Sequence, residues 1–220
     1  MVYLQSLMTK ITREKILHRC FEAICEGGFT NLRTDKEIKR LRITKGAFYH
    51  YFPSKLDLGY AVIDEILMPM YAQRWSVLEE KTKGVAVALN EIIENIKVSS
   101  TDISVKRGDV LANLMVEMSN EDEGFRLKLE EVLESQVKLI QRAILNGKAA
   151  GEMKPQIDAR SMAYSLIGQL HGCYAVAKTR NSRDVFTLMM NALQRQLKEV
   201  LFVSAGTEPT SGMGFQRMTA

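Results

Sequence analysis

Aromatic, basic and small residues are concentrated in one stretch, Ile43 to Lys55, which reads ITKGAFYHYFPSK. Lysine, tyrosine and histidine side chains can donate hydrogen bonds to phosphate oxygens and base edges. Glycine and alanine allow a backbone to approach another molecule closely. These residue types, so closely spaced, suit contact with a polyanion. A packing cluster and a membrane-seeking segment are the alternatives that the remaining sequence must decide between.

A helical wheel divides this stretch into two faces. At 100° per residue, Phe48 points towards a core, with Thr44, Tyr51 and Phe52 beside it. The opposite face has small residues at its centre and hydrogen-bond donors around them: Lys45, Gly46, Ala47, Tyr49 and His50. Such a face fits a helix lying in a major groove.

Charge is unevenly distributed along the 220 residues, whose formal net charge is +4. Residues 1–58 hold 11 Lys and Arg residues against 6 Asp and Glu residues, whereas residues 59–220 hold 19 against 20. This asymmetry favours an anionic partner for the first part of the chain. The aromatic and basic residues do not share one long amphipathic helix, which argues against a membrane-surface protein.

The elements around this stretch are predicted to be short helices. Apolar residues recur at three- and four-residue steps from Thr12 to Gly27, and Gly27-Gly28 ends that helix. Thr34-x-x-Glu37 has the spacing of a capping box at the start of a second helix. Thr44 is a plausible N-cap for a third helix, which must end near Tyr51 because Pro53 disfavours helical geometry at Phe52.

The remaining residues are also predicted to be helical, which makes the fold class all-α. Ser54 begins a fourth helix running towards Glu80. Further helices are predicted at 84–98, 105–119, 122–149, 158–179 and 183–203, capped at the last two by Asp158 and by Asn181 or Ser182. The tail 204–220 is rich in Gly, Ser, Thr and Pro and is predicted to be disordered.

The segment TREKILHRCFEAICEGGFTNLRT…ITKGAFYHYFPSKLDL resembles the DNA-binding domain of the TetR family of bacterial transcriptional regulators. The motifs that carry the resemblance are Gly28-Phe29, Thr44-Lys45-Gly46, Phe48-Tyr49 and Phe52-x-Ser54-Lys55. The resemblance covers about residues 9–58. It implies a helix-turn-helix DNA-binding domain at 1–58 and a ligand-binding and dimerisation domain at 59–203.

The resemblance also implies partners and site residues. A homodimer would place the third helix of each subunit in a major groove of a two-fold operator in double-stranded DNA. The expected DNA contacts by motif position are Thr34, Thr44, Lys45, Gly46, Ala47, Tyr49, His50 and Lys55. A repressor of this kind would be released from DNA by a small apolar ligand.

The sequence departs from the family pattern in the second helix and the turn after it. An ungapped alignment puts Glu37 where the family has Ile and Arg42 where it has Gly. Alternatively, Ile38 takes the Ile position and the turn is one residue shorter. The predicted capping box favours the second register, as does the cost of about 1–2 kcal/mol for a left-handed arginine.

Two further sets of site residues are predicted in the larger second part. The ligand-binding candidates are Trp75, Met115, Tyr164 and His171, which are soft or aromatic side chains suited to an apolar ligand. The last two predicted helices carry apolar stripes and two glycines one turn apart, as expected of a four-helix dimer interface. The predicted interface residues are Leu166, Gly168, Leu170, Gly172, Cys173, Met189, Leu193 and Leu197.

Signatures of other functions are absent from the sequence. There is no glycine-rich phosphate loop, no Gly-x-Ser-x-Gly elbow and no Cys/His group at zinc spacing, so we expect no enzyme, cofactor or metal. Three cysteines without a signal peptide or an apolar span suggest a reducing cytoplasm. The alternatives are an all-α carrier or enzyme with a basic docking head, and a regulator that senses electrophiles or oxidants through Cys173.

Overall fold

The structure is a computed structural model that describes residues 2–80 and 83–201. These residues contain eleven α-helices. Their bounds are α1 (Val2–Gly27), α2 (Thr34–Leu41), α3 (Lys45–Tyr51), α4 (Lys55–Val62), α5 (Met68–Trp75), α6 (Val85–Ser99), α7 (Asp102–Arg107), α8 (Val110–Met118), α9 (Glu123–Ala149), α10 (Ala159–Arg180) and α11 (Arg183–Leu201). No β-strand occurs among these residues, and the all-α prediction is confirmed. The predicted disordered tail lies outside the described residues.

The short helix α3 forms where its caps predict it. The Thr44 hydroxyl accepts a hydrogen bond from the backbone N–H of Ala47 at 3.1 Å. Phe52 has extended geometry, as expected before Pro53. The Ser54 hydroxyl then caps α4 by accepting the N–H of Asp57 at 3.1 Å. The Thr44 cap and the extended Phe52 thus define the two ends of α3, a helix too short to be stable alone.

The start of α2 differs from the predicted capping box. Arg33 occupies the N-cap position and no side chain caps this helix. Thr34 is its first helical residue, and the Glu37 carboxylate binds Arg19 and Arg40 instead of a backbone N–H. The prediction of a capping box was therefore wrong, because a charged partner on α1 takes the carboxylate.

The turn between α2 and α3 has the ungapped register, in which Arg42 takes the position of the family's glycine. The predicted register was the other one. Arg42 adopts left-handed geometry with φ of 54°, in the position where the family has glycine. Its N–H bonds the Lys39 carbonyl at 3.2 Å, and the N–H of Ile43 bonds the Ile38 carbonyl at 3.3 Å. These bonds satisfy the last carbonyls of α2 and offset part of the strain. The Arg42 side chain itself is exposed.

The segment predicted as one helix over 105–119 is divided into α7 and α8. Gly108 has φ of 82°, which is accessible to glycine and breaks the helix. Asp109 then caps α8, because its carboxylate accepts the N–H of Ala112 at 3.1 Å. The turn chemistry of Gly108-Asp109 outweighs the continuous apolar pattern that suggested a single helix.

The predicted fourth helix is nearly continuous but irregular. A π-helical turn over Ile63–Leu67 joins α4 to α5, and a 3₁₀ turn over Ser76–Glu79 follows α5. Pro69 lies just after the π turn and lacks the N–H that an α-helix would require at that position. This composite rod connects the N-terminal helices to the rest of the molecule.

Two hydrophobic clusters hold the fold together. The first contains the buried faces of α1 to α5 together with α8 and the start of α9. The rings of Phe29 and Phe125 meet there at 4.5 Å between centroids. The second cluster joins α6, α10 and α11 to the rest of α9. Because the first cluster crosses residue 58, the predicted domain boundary, the N-terminal helices share a core with the larger part of the chain.

Candidate nucleic-acid interface and junction groove

The recognition face on α3 is exposed as the helical wheel predicts. Phe48 is fully buried, and Phe52 is 2% exposed. Tyr49 is 41% exposed and its ring packs edge-on against Phe48 at 5.3 Å. The remaining residues of the face are exposed or, for Ala47, half-buried: Lys45, Gly46, Ala47 and His50. Thr44 is exposed too, although the wheel placed it beside Phe48. Phe48 thus anchors α3 in the core, and the opposite face of the helix presents small and hydrogen-bonding residues to solvent.

Lys45 at the start of α3 forms an ion pair with Asp35 of α2. The two charged groups are 2.8 Å apart and both side chains are largely exposed. The hydrogen bond between them raises the pKa of Lys45 and lowers that of Asp35. Exposed pairs of this kind are weak, so Lys45 can exchange Asp35 for a phosphate at little cost.

The other two predicted DNA contacts lie at the margins of this face. Thr34 is half-buried at the start of α2. The Lys55 ammonium donates to the Thr30 carbonyl at 3.0 Å and lies 4.8 Å from the centre of the Phe29 ring. Burial lowers the pKa of Lys55, although Glu117 opposes this shift. Lys55 is therefore engaged within the protein.

Glu37 is a buried carboxylate in the N-terminal helices, only 2% exposed. It binds the Arg19 guanidinium of α1 at 2.7 Å and that of Arg40 at 3.1 Å. Ile38, the next residue, is buried as well. An ion pair thus ties α1 to α2 at the position where the family usually has isoleucine.

A groove of about 840 Å³ runs between the end of α1, helices α7 and α8, and one side of α10. We call it the junction groove because it lies where the N-terminal helices meet the larger part of the chain. Its apolar wall includes Ile24, Ile103, Val110, Met115 and Val116, and its polar groups include Glu26, Lys106, Arg107, Glu117, His171 and Lys178. Its size is within the range of about 300–1,000 Å³ that is typical of small-molecule sites.

Glu117 of α8 connects the groove to the N-terminal helices. Its two carboxylate oxygens accept the backbone N–H groups of Phe29 at 2.9 Å and Thr30 at 2.7 Å. Gly28 precedes this pair with φ of 83°, and a Cβ there would lie 2.8 Å from the Glu117 carboxylate. Burial acts to raise the pKa of Glu117, but these N–H donors, the Thr30 side chain and the charge of Lys55 together outweigh it and lower the pKa. We call this contact the Glu117 clamp.

A buried polar cluster lies behind the groove. Asp109 accepts the Tyr71 hydroxyl at 2.7 Å, and its other oxygen is 3.4 Å from Arg74. Burial acts to raise the pKa of Asp109, but Arg74, His171 and the hydrogen bonds from Tyr71 and Ala112 together hold the pKa below its ordinary value. Burial lowers the pKa of His171, whose Nε2 is 3.7 Å from Asp109. His171 is therefore neutral near pH 7.

The four predicted ligand-binding residues are not brought together. Met115 and His171 line the junction groove. Trp75 is 1% exposed and donates from its indole to Gln136 at 2.9 Å. Tyr164 lies on the surface of α10 and bonds Glu134 at 3.0 Å. Glu26, Arg107 and Glu117 were not predicted as site residues, because their contacts with other helices span 80 or more residues and leave no local signal.

Most of the predicted dimer-interface residues belong to the core of the subunit itself. The buried ones, each at most 4% exposed, are Leu166, Leu170, Cys173, Leu193 and Leu197. They cannot form an interface without unfolding, which corrects that part of the prediction. Gly168 and Gly172 face open space, and Met189 is half-buried. The apolar stripes that suggested an association surface pack largely within the same chain.

The three cysteines lie in buried or half-buried environments that keep their thiols protonated. Burial raises the pKa of Cys20 to about 12 and that of Cys25 to about 11. Burial also raises the pKa of Cys173, which is 3% exposed. Because the thiolate is the reactive form, these environments do not favour the alternative of sensing through Cys173.

Two negative findings apply to residues 2–80 and 83–201. No helix there is long and apolar enough to cross a bilayer. No group of three or more His, Cys, Asp or Glu side chains there could hold a metal ion.

Family models match two consecutive parts of the chain. Residues 16–62 match the model described as "Bacterial regulatory proteins, tetR family", and residues 86–193 match "Tetracyclin repressor-like, C-terminal domain". The first match contains the C-terminal part of α1 together with α2, α3 and α4. The second contains the helices that line much of the junction groove.

Curated relatives show low but extended similarity. An uncharacterized HTH-type transcriptional regulator of Lactococcus lactis subsp. lactis is 25% identical over 191 residues, covering 86% of this chain and 94% of the relative. The HTH-type transcriptional repressor DhaR of Mycobacterium sp. (strain GP1) is 22% identical over 172 residues, covering 78% and 85%.

Solved structures share the fold over most of the chain. The crystal structure of the reduced form of NemR from Escherichia coli has a TM-score of 0.77 at 20% identity, covering 88% of this chain and 99% of that one. A transcriptional regulator from Chloroflexus aurantiacus has a TM-score of 0.78 at 17% identity, covering 90% and 99%.

Proposed function

The chain belongs to the TetR family of bacterial transcriptional regulators, and we propose that it is a repressor that binds a two-fold operator as a homodimer. A small, mostly apolar ligand in its C-terminal part would release it from DNA. Acting on DNA, it would work in the bacterial cytoplasm, as a regulator and not as an enzyme.

The exposed face of α3 is the observation that carries this proposal. Phe48 anchors the helix, while Lys45, Tyr49 and His50 point away from the core. Gly46 at the centre of the face would allow the helix backbone to approach the floor of a major groove. Lys45 and Tyr49 would hold phosphates and set the register, and His50 would reach a phosphate or a base edge.

The outer face of α10 supports a dimer. Gly168 and Gly172 leave open space one turn apart, and Val176 continues the same side of the helix at 43% exposure. Leu188 of α11 adds a side chain that is 66% exposed. Two such helices from each subunit would form a four-helix interface. Gly168, Gly172 and Met189 remain in this proposal, whereas the five core residues leave it.

The junction groove is the best candidate for the ligand. It contains Met115 and His171, and its walls come from both the N-terminal helices and the larger part of the chain. A ligand there would touch the contacts that fix the orientation of α1 to α3. A change in that orientation in both subunits would move the two recognition helices out of register with successive major grooves.

Selection from a random duplex library tests the proposal. We expect the enriched sequences to be two-fold symmetric and to bind two chains per duplex. Val176→Asp should produce a monomer by sedimentation and lose the selected DNA. Val98→Asp is the matched control, because Val98 is exposed on α6 and not on either of the two helices proposed to form the interface. A wild-type monomer, or enrichment of no sequence, would overturn the proposal.

A further inference from the structure

The charged groups of the junction groove differ in whether they already have a charged partner within the protein. Arg107 is paired with Glu26 of α1 at 2.9 Å, and both oxygens of Glu117 are used by backbone N–H groups. Lys106 and Lys178 have no carboxylate partner among the residues that the structure describes, and Lys178 donates only to the Asn113 side chain at 3.3 Å. The groove therefore offers two ammonium groups, whereas its carboxylates are already engaged.

Apolar side chains line much of the rest of the groove. Ile103 is 62% exposed and Val116 is 87% exposed, so both leave apolar surface open at the groove. Ile24 and Met115 extend the same wall towards α1. An occupant that matches both parts of the groove has an apolar body and a negative group.

We propose that the junction groove binds an organic anion with an apolar body, whose carboxylate is held by Lys106, Arg107 and Lys178. This inference rests on the proposed function, since it names the ligand class of the same regulator. A carboxylate bound to cationic side chains makes charge-assisted hydrogen bonds, which are the stronger kind. The apolar body would cover Ile103 and Val116 and remove their surfaces from water.

The position of Arg107 gives the ligand a way to act on the DNA-binding helices. In the structure Arg107 links α7 to α1 through Glu26. A bound carboxylate would compete for Arg107 and weaken that link, next to the Glu117 clamp on Phe29 and Thr30. Ligand and operator would then favour different arrangements of α1, so each would lower the affinity for the other.

Calorimetric titration of the full-length protein without DNA tests the site. The probes are octanoate and 4-phenylbutyrate, each beside its primary amide and the corresponding amine. We expect at least one carboxylate to bind, and its amide and amine to bind about tenfold more weakly or not at all. Equal binding of all three forms, or no binding of either carboxylate, would overturn the inference.

Variants locate the site. Lys106→Met together with Lys178→Met should weaken carboxylate binding by about tenfold or more. Lys138→Met is the control, because Lys138 is exposed on α9 outside the groove, and it should leave binding unchanged. Glu26→Gln should tighten binding, because it removes the competitor for Arg107. Unchanged affinity in the double variant, or weaker binding by Glu26→Gln, would contradict the assigned contacts.

The two proposals can fail separately. A protein that binds its selected duplex but no carboxylate loses only the ligand class inferred here. A protein that binds a carboxylate through Lys106 and Lys178 but selects no DNA keeps the groove and loses the proposed function.

Discussion

Glu117 of α8 accepts the backbone N–H of Thr30 at 2.7 Å, across 87 residues of sequence. The same carboxylate accepts the N–H of Phe29, so one side chain fixes the segment directly after α1. This clamp and the Arg107–Glu26 ion pair are polar contacts between the N-terminal helices and the larger part of the chain. They join the junction groove to the helices that carry the recognition face.

Glu117→Gln should weaken the clamp, because an amide has one acceptor oxygen and no charge. We expect the free energy of unfolding to fall by about 1–2 kcal/mol. Amide hydrogen exchange at Phe29 and Thr30 should become faster. Glu121→Gln removes a nearby charge from an exposed position and is the control. Unchanged protection of both amides in Glu117→Gln would show that the carboxylate does not hold this segment.

Glu37→Gln should destabilise the N-terminal helices, because Arg19 would lose its buried anionic partner. The guanidinium groups of Arg19 and Arg40 retain partial solvent access, so we expect a loss of about 1–3 kcal/mol in urea denaturation. The double variant Arg19→Met, Glu37→Ile should regain most of that loss by replacing the ion pair with apolar packing. Equal stability of Glu37→Gln and wild type would mean that the pair contributes nothing.

Arg42→Gly should stabilise the protein, because φ of 54° strains an arginine but not a glycine. The relief of about 1–2 kcal/mol is partly cancelled by the greater freedom of glycine in the unfolded chain, leaving a gain of about 0.5–1 kcal/mol. Lys39→Gly lies within α2 and should instead cost about 1 kcal/mol. Thermal denaturation measures both variants. A destabilising Arg42→Gly would refute the strain.

Stability should fall as the pH is lowered through the range in which His171 titrates. Burial lowers the pKa of His171 below the ordinary 6.5; Arg74 acts in the same direction and Asp109 opposes it. As the pH falls below about 6.5, the unfolded chain takes up the proton first, so the stability present above that pH is progressively lost.

His171→Asn should therefore flatten the pH dependence of the unfolding free energy between pH 7.5 and the lower pKa of the folded state. Urea denaturation at several pH values measures this. His50→Gln removes an imidazole from an exposed position and is the control. An identical pH profile for His171→Asn and wild type would contradict the assignment.

Local signals were sufficient to predict the recognition helix. Thr44, Ser54 and Pro53 define α3 through backbone geometry, and the wheel correctly separated Phe48 from Tyr49. These effects operate within a few residues and need no knowledge of the tertiary structure. The all-α class followed from the same kind of periodicity.

The predictions that depend on residues distant in sequence were less accurate. The capping role of Glu37 failed because Arg19, on another helix, binds the carboxylate. Leu166 and Leu193 were assigned to a dimer because an apolar stripe does not show which surface covers it. The local cost of left-handed geometry predicted that Arg42 would avoid it. Arg42 nevertheless adopts this geometry, in a turn whose hydrogen bonds satisfy carbonyls at the end of α2.

The most direct test of the account is the affinity for the selected duplex, measured over a series of salt concentrations. The wild-type protein should lose affinity steeply as salt rises, because phosphate contacts release counterions. Lys45→Met should bind more weakly and reduce the slope by about one charge. Tyr49→Ala should weaken binding without changing the dimer. If both variants bound with the affinity and salt dependence of the wild type, α3 would not be the helix that meets DNA.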